Sequence, residues 1–215
     1  MNFWSEFIVV LARGLIVTLE ILSISIPASI ILGIILGSLR VYGGKVTSTL
    51  SSAVANTFRG LPLIVTLIIL FFGLADLKIY LSPFWAATIG FILCGGSYIS
   101  EYVRTAIYSI EEGQSLAAQS IGMTKFQELI YIILPQAVRR ALPAISNEIV
   151  YMIKYSSLAF IVGVQEIFSV AKTFNSLYFK STEIFLTLAL IYLILTGIAT
   201  IIFKIVESKL KIPYS

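Results

Sequence analysis

The sequence predicts an all-α integral membrane protein with about five transmembrane helices. Hydrophobic residues make up 58% of the 215 residues and charged residues only 12%. Soluble domains are about 45–50% apolar and about a quarter charged, so this apolar excess is more than one compact core can bury. A spanning helix needs about 20 mostly apolar residues. The chain therefore accommodates roughly five or six spans, and we expect one membrane domain over residues 1–215.

Four of the predicted spans are recognised from apolar runs. The first covers about residues 15–39, the second about 50–74, the third about 84–107 and the last about 184–205. The second run is interrupted by the Arg59-Gly60-Leu61-Pro62 element, which we expect to shape a bend because proline removes a helix hydrogen bond. These runs account for four of the five expected helices.

The remaining span is predicted between residues 126 and 154, where an apolar helix pattern is interrupted by Arg139, Arg140 and Glu148. A long, kinked helix here crosses the bilayer only if its charges face protein or a water-filled cavity. Residues 158–164 are apolar but too short to span, and they are predicted to be re-entrant. Such a segment needs protein or water around it.

The distribution of basic residues predicts the orientation. Five spans place the termini on opposite sides, and Lys and Arg are enriched in cytoplasmic loops. One side carries nine basic residues and the other five: Arg40, Lys45, Arg104, Lys125, Arg139, Arg140, Lys204, Lys209 and Lys211 against Arg13, Lys78, Lys154, Lys172 and Lys180. We therefore expect the N-terminus outside and the C-terminus in the cytoplasm.

The composition also excludes several classes of site. The chain has no His and a single cysteine, Cys94, so neither an internal disulfide nor a metal site built from His or several Cys residues is possible. The net charge of +4 is scattered and forms no basic stripe. We expect no metal, no cofactor on this chain and no nucleic acid partner.

Residues 111–136 carry the clearest functional pattern. Gly113-Gln114 opens a short helix at 115–120 whose alanines, Ala117 and Ala118, leave room for another surface to approach. Gly122 is placed to end that helix, since glycine tolerates the left-handed conformation found there. Thr124 and Gln127 then form a capping box for the next helix. A helix, a stop and a new helix on the cytoplasmic face predict a docking element.

This segment resembles the EAA signature of ABC importer permeases. The matches to the signature's spacing are Ala117-Ala118, Gly122, Ile132 and Leu134-Pro135. Gly113-Gln114 and Gly122-Met123 are similar to the polar amino acid (HisM/GlnP-like) branch. Arg59-Gly60-Leu61-Pro62 resembles that branch's RGxP element, and the Asn147-Glu148 region with Lys154, Ser156, Ser157 and Leu158 also resembles it. Two positions depart from the pattern: Leu116 replaces the signature's Glu, and Tyr155 stands where relatives often carry an acid.

The resemblance implies a type I importer permease in the bacterial inner membrane. Two such subunits, identical or related, form the translocation path. Two cytoplasmic ATPase subunits, which bind ATP and Mg, drive it, and an extracytoplasmic solute-binding protein supplies a polar amino acid. The coupling segment of about residues 111–135 rests on the ATPase, with Gly113, Gln114, Leu116, Ala117, Ala118, Gly122 and Met123 as the coupling residues. The chain itself is then no enzyme.

Charges within spans are candidates for the substrate path. Glu101 and Glu148 could meet a substrate ammonium, together with Ser97, one helical turn from Glu101, and Asn147. The alternative is structural pairing: Glu101 with Arg104, and Glu148 with Arg139 or Arg140. A pairing of Glu20 with Arg59 is also expected.

Two other functions remain open from the sequence. A methionine-type ABC permease shares the signature and five spans, although the Gly113-Gln114 and Arg59–Pro62 elements argue against it. A stand-alone channel or ion-coupled carrier could use Glu101 and Glu148. Transport by the lone chain without ATP would favour that last function.

Overall fold

In the computed structural model, residues 3–210 are described, and every regular element among them is helical. Lys211, counted above among the inner basic residues, lies outside the described residues. The helices run in the order α1 (Phe3–Tyr42), α2 (Lys45–Gly60), α3 (Leu63–Asp76), α4 (Pro83–Tyr108), α5 (Glu112–Ser120), α6 (Lys125–Val162), α7 (Ile167–Tyr178) and α8 (Ser181–Leu210).

The predicted all-α membrane architecture is confirmed. Three helices, α1, α4 and α8, are long and apolar enough to cross a membrane unbroken. Two bent pairs, α2 with α3 and α6 with α7, raise the number to as many as five. Even the shortest unbroken span, α4 with 26 residues, extends about 39 Å at 1.5 Å per residue, which exceeds the roughly 30 Å hydrocarbon core.

The bend expected at Arg59–Pro62 is confirmed. The second apolar run divides at Gly60–Pro62, where α2 and α3 meet at 107°. Pro62 has no N–H to continue the helix and stands as the residue before α3. A second break, of 56°, separates α6 from α7 and lies beyond the kinked span predicted over residues 126–154.

The segment predicted to be re-entrant is the 3₁₀-helical end of α6, Ser156–Val162. Ala159 and Val162 are buried there, in a core cluster with Phe91 of α4 and Met152 of α6. Backbone that departs from the α-helix at membrane depth needs protein around it. The surrounding helices supply that protein.

α1 and α4 form the central helix pair, and they approach closely through small residues. A Cβ atom added at Gly33 of α1 would lie 2.4 Å from Cγ2 of Ile99, and one added at Gly96 of α4 would lie 2.8 Å from Cδ2 of Leu32. Small residues let membrane helices pack backbone to backbone. This close pair carries Arg40, Glu101 and Arg104, three of the four charged residues in a cluster described below.

α1 begins earlier than the apolar run predicted. Its first turns, from Phe3, pack against α7 and α8, with Phe7 and Leu11 buried beside Ile167 and Phe174. The first turns of α1 are therefore stabilised by packing against other helices of the protein, and not only by contact with lipid.

Candidate functional site

The short helix α5 is followed by a glycine stop. Gly122 has φ +80°, its N–H donates to the Gln119 carbonyl at 2.9 Å, and the Met123 N–H donates to the Ala118 carbonyl at 3.1 Å. This pair of bonds is a Schellman motif, which satisfies carbonyls at the helix end. The left-handed glycine predicted from the sequence is therefore confirmed.

A capping box starts α6 immediately after that stop. The Gln127 N–H donates to Thr124 Oγ1 at 3.3 Å, and the Thr124 N–H donates to Gln127 Oε1 at 2.9 Å. The predicted box is confirmed. Helix end and helix start are both determined by local bonds, so the turn between α5 and α6 has a defined shape.

The exposed surface of α5 combines small residues with larger side chains. Leu116 is 57% exposed and Ala117 is exposed, and a Cβ added at Gly113 or Gly122 would meet no atom within 4 Å. Ala118 is buried, so it packs inward and does not belong to the approachable surface expected of it. Ala118 packs α5 against the bundle, while the small side chain of Ala117 leaves room for another surface to approach the backbone of α5.

Two other coupling candidates lie at the edges of this surface. Gln114 is exposed and accepts a hydrogen bond from Gln136 Nε2 of α6 at 3.4 Å, while Met123 is half-buried. Pro135 lies in α6 just after a π-helical stretch, Glu128–Ile133. A wider turn before a proline accommodates the ring that an α-helical carbonyl would otherwise meet.

A buried carboxylate beneath α5 is a feature that the sequence analysis missed. Glu128 of α6 is 3% exposed and accepts hydrogen bonds from the Tyr42 hydroxyl at 2.8 Å and from Gln119 Nε2 at 3.4 Å. It therefore joins the end of α1 to α5. From the sequence, Glu128 is indistinguishable from an exposed acid in the first turn of a helix. No residue near it in the chain indicates a hydrogen bond with Tyr42, which lies 86 positions earlier.

Glu101 of α4 lies within a cluster of three arginines from three helices. Its Oε2 lies 3.0 Å from Nη2 of Arg40 in α1 and 2.7 Å from Nη1 of Arg59 in α2, and Oε1 accepts from Nε of Arg104 at 3.2 Å. The predicted contact with Arg104 is confirmed. The predicted pairing of Glu20 with Arg59 is wrong, since Arg59 reaches Glu101 and Glu20 is exposed.

This arginine cluster, Arg40, Arg59, Arg104 and Glu101, carries more positive than negative charge. Three guanidinium groups surround one carboxylate, which gives a formal sum of +2. The side chain of Arg40 is only 6% exposed, whereas those of Arg59 and Arg104 are 31% and 33% exposed. Glu101 is fully engaged by cations, so it offers no free carboxylate to a substrate ammonium.

Glu148 of α6 has the opposite environment. It is buried and accepts hydrogen bonds from the hydroxyls of Tyr102 at 3.2 Å and Tyr155 at 3.4 Å. The expected pairing with Arg139 or Arg140 is wrong. Arg140 donates to Ser109 instead, and within residues 3–210 no cation forms an ion pair with Glu148. Tyr155, a departure from the family pattern, thus acts as a partner of this carboxylate.

The remaining path candidates are divided between two faces. Ser97 is fully buried on α4, and its hydroxyl has no hydrogen-bond partner. Asn147 is exposed, beside Thr200 and Lys204 of α8, whereas the neighbouring Glu148 is buried. Adjacent positions on a helix are about 100° apart, and only the packing of α6 shows which of them faces inward.

Comparison with known proteins was made for the whole chain. The family model described as "Binding-protein-dependent transport system inner membrane component" matches residues 29–212. The chain is 38% identical to the probable amino-acid ABC transporter permease protein PatM of Vibrio harveyi, over 99% of this chain and 97% of that protein. It is 31% identical to the glutamine transport system permease protein GlnP of Escherichia coli K12, over 97% and 98% of the two chains.

Solved structures share the fold. A chain of the crystal structure of an amino acid ABC transporter with histidines superposes with a TM-score of 0.86, at 26% identity, over 97% of this chain and 99% of that one. An inward-facing MetNI methionine ABC transporter superposes with a TM-score of 0.82 at 20% identity, over 99% and 100%. The second likeness concerns the fold alone.

Proposed function

Because this chain belongs to the family of binding-protein-dependent transport system inner membrane components, we propose that it is the permease subunit through which an ATP-driven importer passes polar amino acids. It is a transport subunit and not an enzyme. The single observation that carries the proposal is α5, a short helix with a low, exposed surface and a Schellman stop at Gly122, at the position of the EAA signature.

In this proposal the end of the bundle that carries α5 faces the cytoplasm, with the N-terminus outside and the C-terminus inside. Importers of this family work with ATPase and binding-protein partners. Two ATPase subunits, each binding ATP with Mg, contact α5 of two permease subunits through Gly113, Leu116, Ala117 and Gly122. The second permease is either another copy of this chain or a relative, and the whole chain acts as one membrane domain.

The substrate path in this proposal lies along α4, between the arginine cluster and Glu148. Tyr102 follows Glu101 in α4 and donates to Glu148, so α4 contributes both to a centre with surplus positive charge and to the surroundings of a carboxylate without an ion pair among the described residues. A zwitterionic amino acid carries both opposite charges. We place its ammonium at Glu148 and not at Glu101, because arginines occupy Glu101. Ser97, buried and without a partner, is the further polar group on this helix.

The test is uptake by the complex reconstituted in liposomes with its ATPase and binding protein. Ala117→Trp adds bulk to the outward face of α5, and we expect ATP-dependent uptake to fall at least tenfold while the helical content is unchanged. The matched control is Leu193→Trp on the exposed apolar face of α8, which should leave uptake intact. Unchanged uptake in Ala117→Trp would refute the docking role of α5.

The same liposomes distinguish the alternatives. Uptake by the lone chain, driven by an ion gradient without ATP, would favour a carrier. Glu148→Gln should raise the KM for an amino acid substrate severalfold, because the carboxylate that meets the ammonium is lost. An equal effect of Glu183→Gln, an exposed acid at the start of α8, would remove Glu148 from the path.

A further inference from the structure

A groove of about 410 Å³ runs between the last turns of α1 and the first turns of α6. Its aliphatic and phenylalanine lining comes from seven residues that we define as the groove residues: Ile34, Ile35, Leu39, Phe126, Leu129, Ile130 and Leu134. Phe126 is 72% exposed and Ile35 is 49% exposed, so the groove opens to the outside of the bundle. In a membrane protein such a surface faces acyl chains or another subunit.

A polar group within this groove lacks a partner. Ser38 is 8% exposed, lines the groove, and its buried hydroxyl makes no hydrogen bond. Thr18, in the same helix, instead donates to the carbonyl four residues earlier, at 3.0 Å. The oxygen itself is sealed from the groove, so a hydrogen-bond acceptor there, such as an ester carbonyl, reaches it only after the Ser38 side chain rotates toward the lining. Such a bond would satisfy a hydroxyl that is otherwise buried without a partner.

The groove continues into a polar pocket of about 440 Å³, and the two cavities share Tyr42, Gly43 and Lys125. The pocket adds the carboxylates Glu112 and Glu128 and the polar side chains of Ser115 and Gln119. Together they form an apolar trough followed by a site with one ammonium and two carboxylates. This order of chemistry is that of a lipid tail, an ester and a headgroup with both signs of charge.

We propose that the groove and pocket bind one glycerophospholipid with a primary ammonium headgroup, such as phosphatidylethanolamine. One acyl chain occupies the groove residues, and an ester carbonyl accepts from Ser38 once that side chain has rotated toward the groove. The phosphate meets Lys125, and the ammonium meets Glu112 at the mouth of the pocket, since Glu128 is already engaged by Tyr42 and Gln119. A purely anionic headgroup would face two carboxylates. The site is independent of the proposed transport path and would hold whatever the substrate is.

The experiment uses the full-length chain in its complex with the ATPase subunits, in nanodiscs of phosphatidylcholine that contain either phosphatidylethanolamine or phosphatidylglycerol. Native mass spectrometry counts the lipids that remain bound after the complex is released from the nanodisc. We expect one retained phosphatidylethanolamine per permease chain and at least tenfold less phosphatidylglycerol or phosphatidylcholine. Ile35→Trp fills the groove and should lower this occupancy about tenfold. Ile31→Trp, an exposed position one turn earlier that does not line the groove, is the matched control and should have no effect.

Two milder variants keep the test decisive if tryptophan disturbs folding. Ser38→Ala removes only the hydroxyl, and Lys125→Gln removes only the charge; each should lower phosphatidylethanolamine retention severalfold, whereas Lys209→Gln in the last turn of α8 should not. Equal retention of phosphatidylglycerol would overturn the headgroup assignment. Occupancy that is unchanged in Ser38→Ala and Lys125→Gln would overturn the site.

The competing occupant is another protein subunit. Cys94, the one native cysteine, is buried, so Ile35→Cys introduces a single accessible thiol at the groove. A short bifunctional crosslinker that joined this thiol to a second subunit in the complex would show that protein covers the groove and would overturn the proposal. Labelling by a lipid-soluble maleimide, blocked by added phosphatidylethanolamine, is the expected result.

Discussion

Replacing Glu101 with glutamine is expected to destabilise the permease more than replacing Arg104, one of the three arginines around it. The arginine cluster has a formal sum of +2, and Glu101→Gln raises it to +3 with no carboxylate left among the three cations. Arg104→Gln lowers the sum to +1 and leaves Glu101 paired with Arg40 and Arg59. Both substitutions remove the ion pair of Glu101 with Arg104, but Glu101→Gln also removes the pairs with Arg40 and Arg59, and the two have opposite effects on the surplus charge.

The magnitudes follow from how exposed each side chain is. Removing one partner of a buried pair costs about 3–5 kcal/mol, and the 6% exposed side chain of Arg40 is in that regime. The side chains of Arg59 and Arg104 are about one-third exposed, and pairs in contact with solvent contribute about 0–1 kcal/mol. We therefore expect a cost of about 3 kcal/mol for Glu101→Gln and about 1 kcal/mol for Arg104→Gln.

Thermal unfolding of the detergent-solubilised chain measures this difference. For chains of 150–250 residues, 1 kcal/mol corresponds to about 2–4 °C in Tm, so Glu101→Gln should lower Tm by about 6–12 °C and Arg104→Gln by about 2–4 °C. The double variant should recover part of the loss, because it removes one of the unbalanced cations. Equal shifts for the two single variants would refute the view that Glu101 neutralises the cluster.

Two further predictions concern helix packing and the support of α5. Gly33→Ala places a Cβ 2.4 Å from Ile99 and should lower the free energy of unfolding by an amount typical of overpacking, about 1–3 kcal/mol, which a lower Tm would show. Gly197→Ala, with nothing within 4 Å of the added Cβ, should be neutral or stabilising in the same melting assay. Glu128→Gln should lower transport per ATP hydrolysed severalfold while ATP hydrolysis persists, because the charged link from α1 to α5 is lost. Tyr42→Phe combined with it should be non-additive in a double-mutant cycle; full additivity would show that the two side chains act separately.

The turn between α5 and α6 shows how far local sequence reaches. The glycine stop at Gly122 and the capping box of Thr124 and Gln127 involve residues within five positions of one another, so their geometry follows from the residues themselves. The faces of α5 did not follow in the same way. Ala117 and Ala118 are identical in chemistry, and only the helices beneath α5 decide that Ala118 is the buried one.

The spans show the same division. The hydropathy of each apolar run predicted a membrane helix, because an apolar run long enough to span the bilayer is stable in lipid whichever helices lie beside it. The 107° break at Gly60–Pro62 was expected as a bend, but its size depends on what α2 and α3 pack against. The first turns of α1 pack against α7, a contact between distant segments that the hydropathy of α1 does not indicate.

The sequence by itself determined that this chain lies in a membrane, where its helices stop and start around α5, and which permease family its motifs resemble, since all three depend on composition or on residues close in the chain. Only the tertiary structure decided which charges meet. Glu101 lies 61 and 42 positions from Arg40 and Arg59, and Glu128 lies 86 from Tyr42. An ionisable side chain inside a membrane takes the partner that helix packing brings within about 3 Å, because an unpaired charge there is costly. That packing is a property of the whole bundle and not of any one segment.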